Sequence, residues 1–313
     1  MVRERIKMDQ PRVKIHGSLG DRVFLLFVYG AVVFIFLATL YPIIFIFSSS
    51  ISDPLLVATG KVVLLPKQIN FSGYEHLFKN RELWVGYGNS LFYTVAGTIL
   101  NLIVTLSAGY ALSRKDMIGR NLIMGIFVFT MYFSGGLIPL YLNYRSFGLL
   151  NSRTVMLIVS LLSVYNLIVC RTFFASTIPW ELHEACMIDG ASDFTVFFRI
   201  VLPLSKPVMT VMSLYYGVTH WNGYFNAMIY LRDRDKFPLQ LFLREILIQS
   251  QLLANAAFDA IDAEAMKEMA AIQDMANLLK FCVIMVATLP MLMIYPFLQR
   301  YFEKGVLIGS LKG

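Results

Sequence analysis

Written as apolar and polar positions, the chain alternates between long uncharged runs and short charged joints. Six runs contain no Asp, Glu, Lys or Arg: residues 23–47, 83–112, 121–144, 154–170, 207–231 and 281–299. About 20 apolar residues carry a helix across a hydrocarbon core. Backbone polar groups in lipid must be satisfied within the protein, which leaves helices or closed barrels. The pattern therefore predicts six transmembrane helices and an all-α polytopic membrane protein. The fourth run is the shortest, and the apolar "TFFASTIP" after Arg171 can extend it.

The joints are unequal. Residues 113–120 ("SRKDMIGR") and 145–153 are tight turns, whereas 48–82 form an outer loop punctuated by Pro54, Gly60, Pro66 and Gly73. A second outer segment, 232–280, carries its own pattern. Phe242, Ile246 and Leu253 recur at loosely helical spacing. Met266, Met269, Ile272, Met275 and Leu279 then follow at three- to four-residue steps, as on an amphipathic helix. Such a helix either faces a partner or the membrane interface, or packs on the outer rim of the bundle. Helix breakers inside the runs, "SGGLIP" at 134–139, Pro290 and Pro296, are compatible with spans that flex. The expected division is an N-terminal tail (1–22), a six-helix domain (23–302) and a C-terminal tail (303–313).

Composition agrees with a lipid-embedded chain. It is 57% hydrophobic and 15% charged with a mean hydropathy of +0.64, against about 25% charged residues in soluble proteins. The first run has too many uncharged residues for the 7–15-residue core of a signal peptide, and no small-residue cleavage site follows it. An uncleaved anchor is expected. With six spans both termini share a side, and placing them in the cytoplasm puts fifteen basic residues inside and ten outside, with Arg153 and Lys280 at boundaries. The outer ten sit largely in long loops, which count little toward orientation. The net charge of +7 is thus a topology signal, and nucleic-acid binding is not needed to explain it. Cys170, Cys186 and Cys282 show no metal spacing or disulfide framework and read as small buried hydrophobes.

Between the fourth and fifth runs lies "ELHEACMIDGASDFTVFFRIVLPLSKP", residues 181–207. Pro179 suits a first helical turn, and "WELHEACMI" then makes about two turns, with Glu181 and Glu184 near the positive end of the dipole. Asp189-Gly190 ends it, because Gly tolerates the positive φ of a helix C-terminus. Ser192 is placed to cap a second short helix, "DFTVFFRIV", which Pro203 and Pro207 separate from the fifth span. The result is a stiff two-helix elbow over 180–206 on the cytoplasmic side. Spacing alone leaves it open whether this is a docking element or an ordinary surface loop.

The same stretch resembles the cytoplasmic signature loop of permease subunits in binding-protein-dependent ABC importers. That pattern runs Glu-Ala-Ala, two residues, Asp-Gly-Ala, then a Phe, an Ile and Leu-Pro-x-x-x-Pro. Glu184, Ala185, Asp189, Gly190, Ala191, Phe197, Ile200, Leu202, Pro203 and Pro207 match it. Cys186 departs from it, standing where a second Ala is usual, which implies at most a slightly altered docking surface. The carboxyl end "YPFLQRYFEKGVLIGSLKG", together with "SSSISDP" and "HWNGYFNAMIYL", is similar to the second permease of maltose-type carbohydrate importers, in the branch linked to complex oligosaccharides. The resemblance implies a type I importer permease that alternates between inward- and outward-facing states in the bacterial cell membrane. Its implied partners are a second homologous permease, two cytoplasmic ATP-binding subunits and an extracytoplasmic sugar-binding protein. The hairpin would seat in a cleft of the ATPase, with Glu184, Ala185, Cys186, Asp189, Gly190, Ala191 and Phe197 at the coupling surface. The C-terminal tail would reach between the two ATPases.

The chain has no G-x-x-x-x-G-K-[ST] motif, so ATP is expected on partner subunits and no cofactor on this one. A membrane-bound enzyme would need converging acid–base or metal-binding groups. His16, His76 and His183 lie outside the runs and only His220 lies within one, which favours a hydrogen bond to a neighbouring helix over catalysis. A channel would account for six spans and leave the hairpin unexplained. Trp221, Asn222, Tyr224 and Asn226 could line a sugar pathway, because aromatic faces stack on sugar rings and amides bond their hydroxyls. Alternatively the aromatics mark an interfacial belt and the Asn side chains bond between helices. In maltose-type importers the sugar contacts within the membrane are made chiefly by the other permease.

Overall fold

The computed structural model describes residues 18–257, 273–294 and 296. Every regular element among them is helical. The first half contains α1 (Leu19–Ser50), α2 (Pro54–Ala58), α3 (Ser72–Lys79), α4 (Arg81–Ser113), α5 (Arg120–Tyr132), α6 (Leu137–Ser146), α7 (Arg153–Ile158) and α8 (Val164–Thr177). Next come α9 (Trp180–Ile188), α10 (Asp193–Val196), a π turn (Phe197–Val201) and α11 (Leu202–Leu204). The remainder is α12 (Lys206–Trp221), α13 (Phe225–Tyr230), α14 (Leu239–Ala257) and α15 (Gln273–Ile294). The tail residues 1–17 and 303–313 lie outside the described residues, as do Met266, Met269 and Ile272.

Among the described residues, three single helices are long and apolar enough to cross a membrane: α1, α4 and α15. The other three uncharged runs are broken, where the pattern predicted one continuous helix each. The run 121–144 folds as α5 and α6, inclined at 115°. Gly136 causes the bend: at φ 90° and ψ 170° it holds a conformation that a Cβ excludes, and its N–H is taken by Ser134 Oγ. The run 154–170 is divided into α7 and α8. The run 207–231 ends α12 at Trp221 and restarts as α13.

Breaking a helix in lipid frees backbone groups that need partners. The partners come from α4. Asn101 donates its amide to the carbonyls of Ser160 and Leu161 in the α7–α8 break. Its Oδ1 meets His220 Nε2 at 2.7 Å, the interhelical hydrogen bond expected of that histidine. One layer away, Thr105 bonds the Tyr216 hydroxyl (2.7 Å), which accepts the Ser163 N–H. Gly97 lets this arrangement close, since a Cβ there would overlap the His220 ring. α4 is the axial helix of the fold, packed against α8, α12 and α14.

The outer connections are structured. Ser48, Ser50 and Ser52 of "SSSISDP" are buried. Ser48 bonds the Leu64 carbonyl, Ser52 accepts the Lys67 N–H, and Ser50 accepts the Tyr74 hydroxyl proton. Residues 232–238 are pinned to α4 through Asn89, Tyr93 and Ser90, which meet the backbone of Asp235, Lys236, Phe237 and Leu239. Phe242 and Ile246 lie on α14 as predicted, and this face packs with Leu83, Trp221, Leu278 and Val283. The rim-packing reading describes that face, while Ile248 and Leu252 remain exposed. Met275 and Leu279 belong to the first turns of α15, which starts eight residues before the uncharged run. All three cysteines are free and buried, as expected of small hydrophobes.

Candidate functional site

Two features stand out, and α12 joins them. Its 16 residues put about 24 Å of helix between them. At its amino end is the elbow. α9 ends in a Schellman motif: Gly190 N–H bonds Met187 C=O and Ala191 N–H bonds Cys186 C=O, with Gly190 at φ 74°. Ser192 Oγ then accepts the Thr195 N–H and caps α10, as the sequence predicted. Pro179 differs slightly from expectation, standing just ahead of the first turn as the cap residue. The chain bends by 81° between α11 and α12, with Pro207 in the first turn of α12.

The elbow has two faces. Its base is buried: Cys186, Val196 and Val201 pack with Cys170, Phe174 and Met212, and Phe197 lies on Tyr110 at 5.2 Å. Arg114 at the end of α4 clamps it, reaching Asp193 and Asp116. The guanidinium holds the Asp116 carboxyl below the usual range. Its crest carries Glu184, Ala185, Asp189 and Gly190, all exposed. Beside them are four exposed apolar side chains that sequence reasoning passed over: Met187, Ile188 (87%), Phe194 (77%) and Phe198. Their signal was present in the apolar residues of "MIDGASDFTVFF". Cys186 belongs to the base, only 7% exposed, so the departure from the Ala pattern touches packing and leaves the crest unchanged. His183 is also buried, and neither ring nitrogen has a hydrogen-bond partner among the described residues.

At the other end of α12 a cavity of about 680 Å³ opens between α12, α14 and α15. Trp221, Asn222 and Tyr224 line it. Asn226 lines a smaller neighbour of about 280 Å³ and points to Ser160 Oγ at 3.4 Å. Trp221 is buried between helices. Its indole N–H donates to the Ala287 carbonyl (3.0 Å), and its ring meets Tyr87 edge-on. Asn222 bonds back to Val218 in its own helix. Gln240 and Arg244 of α14 complete the polar lining. Arg244 was counted among the outer-loop charges; a lone cation within "LQLFLREIL" was the clue to its position.

Long apolar helices, two sharply bent helix pairs and an apolar-crested elbow have the form of a membrane permease. Comparison with known proteins agrees. Residues 102–308 match the family described as "Binding-protein-dependent transport system inner membrane component", and the chain belongs to that family. It is similar to the polygalacturonan/rhamnogalacturonan transport system permease protein YtcP of Bacillus subtilis (strain 168), at 37% identity over 94% of this chain and 100% of that one. Protein LplC of the same organism is 37% identical over 96% of this chain and 98% of its own. The crystal structure of a bacterial ABC transporter involved in the import of the acidic polysaccharide alginate contains a chain with the same fold. Its TM-score is 0.81 at 34% identity, covering 91% of this chain and 99% of that one. The fold is that of a type I importer permease, and the chain is a permease of a binding-protein-dependent ABC importer.

Proposed function

We propose that this permease carries oligosaccharides across the bacterial cell membrane and that ATPase subunits drive it by gripping the elbow 180–206. The observation that carries the reading is the crest. Ile188 and Phe194 are held in solvent on a buried base, inside the region that matches the family. Exposed apolar side chains on a stiff support are what a docking partner covers. Glu184, Ala185, Asp189 and Gly190 then lie at that contact, while Cys186, Ala191 and Phe197 support it from below.

Arg114, Lys115, Arg120, Arg171, Arg199 and Lys206 cluster along the chain around the elbow, which supports a cytoplasmic position for that end and for both termini. A second homologous permease completes the pathway, and two cytoplasmic subunits bind and hydrolyse ATP. This chain is no enzyme and holds no cofactor. An extracytoplasmic protein delivers the sugar to the end bearing 48–82 and 232–280. The substrate class is supported by relatives named for polygalacturonan/rhamnogalacturonan and alginate import. Trp221, Asn222 and Tyr224 contribute to the path, with Asn226 one layer removed.

The test is uptake by proteoliposomes holding the full complex, across a panel of oligosaccharides. Uptake should require both ATP and the binding protein. ATP-independent flux, or no uptake of any oligosaccharide, would remove this function.

A further inference from the structure

We propose that the cavity beside Trp221 is a carboxylate-recognising sugar subsite and that Arg244 determines its preference for acidic over neutral oligosaccharides. This deepens the import reading above and rests on it.

Arg244 is a half-buried cation in a mostly apolar wall, and among the described residues no Asp or Glu lines the cavity. Two basic residues near it in the chain are paired: Arg234 with Glu82 and Glu245, and Lys236 with Asp233. Glu245, next to Arg244 in sequence, is thereby taken at 2.7 Å. Among the described residues Arg244 has no ion pair. Its contacts are the Tyr224 ring, 5.4 Å from the guanidinium, and the Met228 sulfur. These orient the fork without neutralising it.

A half-buried cation in an apolar wall has its charge open to an incoming carboxylate. The planar guanidinium accepts a carboxylate through two parallel N–H···O bonds. Around it the cavity supplies what the rest of a sugar needs. Tyr224 offers an aromatic face, and Gln240 and Asn222 offer amides that can donate to or accept from hydroxyls. The volume of about 680 Å³ falls within the usual range of small-ligand sites. A neutral sugar would use the amides and the ring but leave Arg244 unpaired. A uronate oligomer uses all of them.

The probe is trigalacturonate, compared with its fully methyl-esterified form. Binding is measured to the purified permease–ATPase complex with the binding protein omitted, so that delivery cannot set the preference. Wild type should bind the acid about tenfold more tightly than the ester, a difference of about 1.4 kcal/mol. Arg244→Gln should bring that ratio to about one, with ester binding unchanged, and Arg244→Lys should fall between. An unchanged ratio in Arg244→Gln overturns the proposal. So does equal loss of both ligands with dissociation of the subunits, which would make Arg244 a structural ion-pair partner. Loss of co-purifying anionic lipid with the ratio intact overturns it as well. Wild-type uptake of neutral oligosaccharides without acid preference sinks this inference and leaves the import function standing. Uptake of no oligosaccharide sinks both.

Discussion

The elbow and the cavity sit at the two ends of α12, and their construction differs. Each cap in the elbow is local: Gly190, Ala191 and Ser192 bond within five residues of themselves. The cavity draws on α12, α14 and α15, elements far apart in the chain, and its shape depends on how three helices lean. A unit closed by local bonds moves as one body. A space between helices changes volume whenever one of them tilts. Under the proposed coupling, the stiff part would receive the push and the compliant part would open. α4 runs alongside both, clamping the elbow through Arg114 and meeting the cavity wall where Tyr87 touches Trp221, and it holds the α7–α8 break through Asn101.

The largest effect should come from the crest. Ile188→Asp combined with Phe194→Asp leaves every buried contact in place, since both side chains are exposed. Burying such side chains in a partner is worth about 1.5–3 kcal/mol each. ATPase co-purification should therefore fall about hundredfold while membrane insertion stays normal. Normal retention of the ATPases would mean that the crest is not the docking surface.

Asn101→Ala tests the bridge. It strips the Ser160 and Leu161 carbonyls and His220 of a buried partner, at about 1–3 kcal/mol. The unfolding midpoint of the detergent-solubilised chain should drop, and uptake should fall with it. An unchanged midpoint would show that water satisfies the break and that α4 is no strut.

Gly190→Val separates stiffness from crowding. Among the described residues nothing beyond its chain neighbours lies within 4 Å of the added Cβ, so the penalty is that of the positive φ, about 1–2 kcal/mol. Stimulated ATP hydrolysis and uptake should fall by up to about tenfold, and Gly190→Ala should do nearly the same. If Ala is tolerated and Val is not, side-chain volume at a docking surface matters more than the turn.

The smallest effect concerns pH. The hydrogen bond from Arg114 lowers the Asp116 pKa, so its contribution is present above the unfolded-state value of about 3.9. It is lost as pH falls through the lower folded-state value. Thermal midpoints taken across the acidic range should show that loss in wild type and a shallower one in Asp116→Asn. Identical slopes would mean that the clamp runs through Asp193 alone.

Much of this protein was legible without coordinates wherever the governing interaction is short in sequence. Charge-free runs report lipid because a buried charge costs more than a helix can return. Asp189-Gly190 and Ser192 report the elbow because Schellman and capping bonds span only a few residues. Tertiary structure decided the rest. No local rule says that 159–163 unwinds because Asn101, some sixty residues earlier, donates to its carbonyls. Nor does hydropathy tell that Arg244, read as one charge in a long outer segment, lies over Tyr224 beside a cavity that no acid among the described residues lines. Those facts depend on contacts between elements distant in the chain, whose energies exist only once the helices have packed.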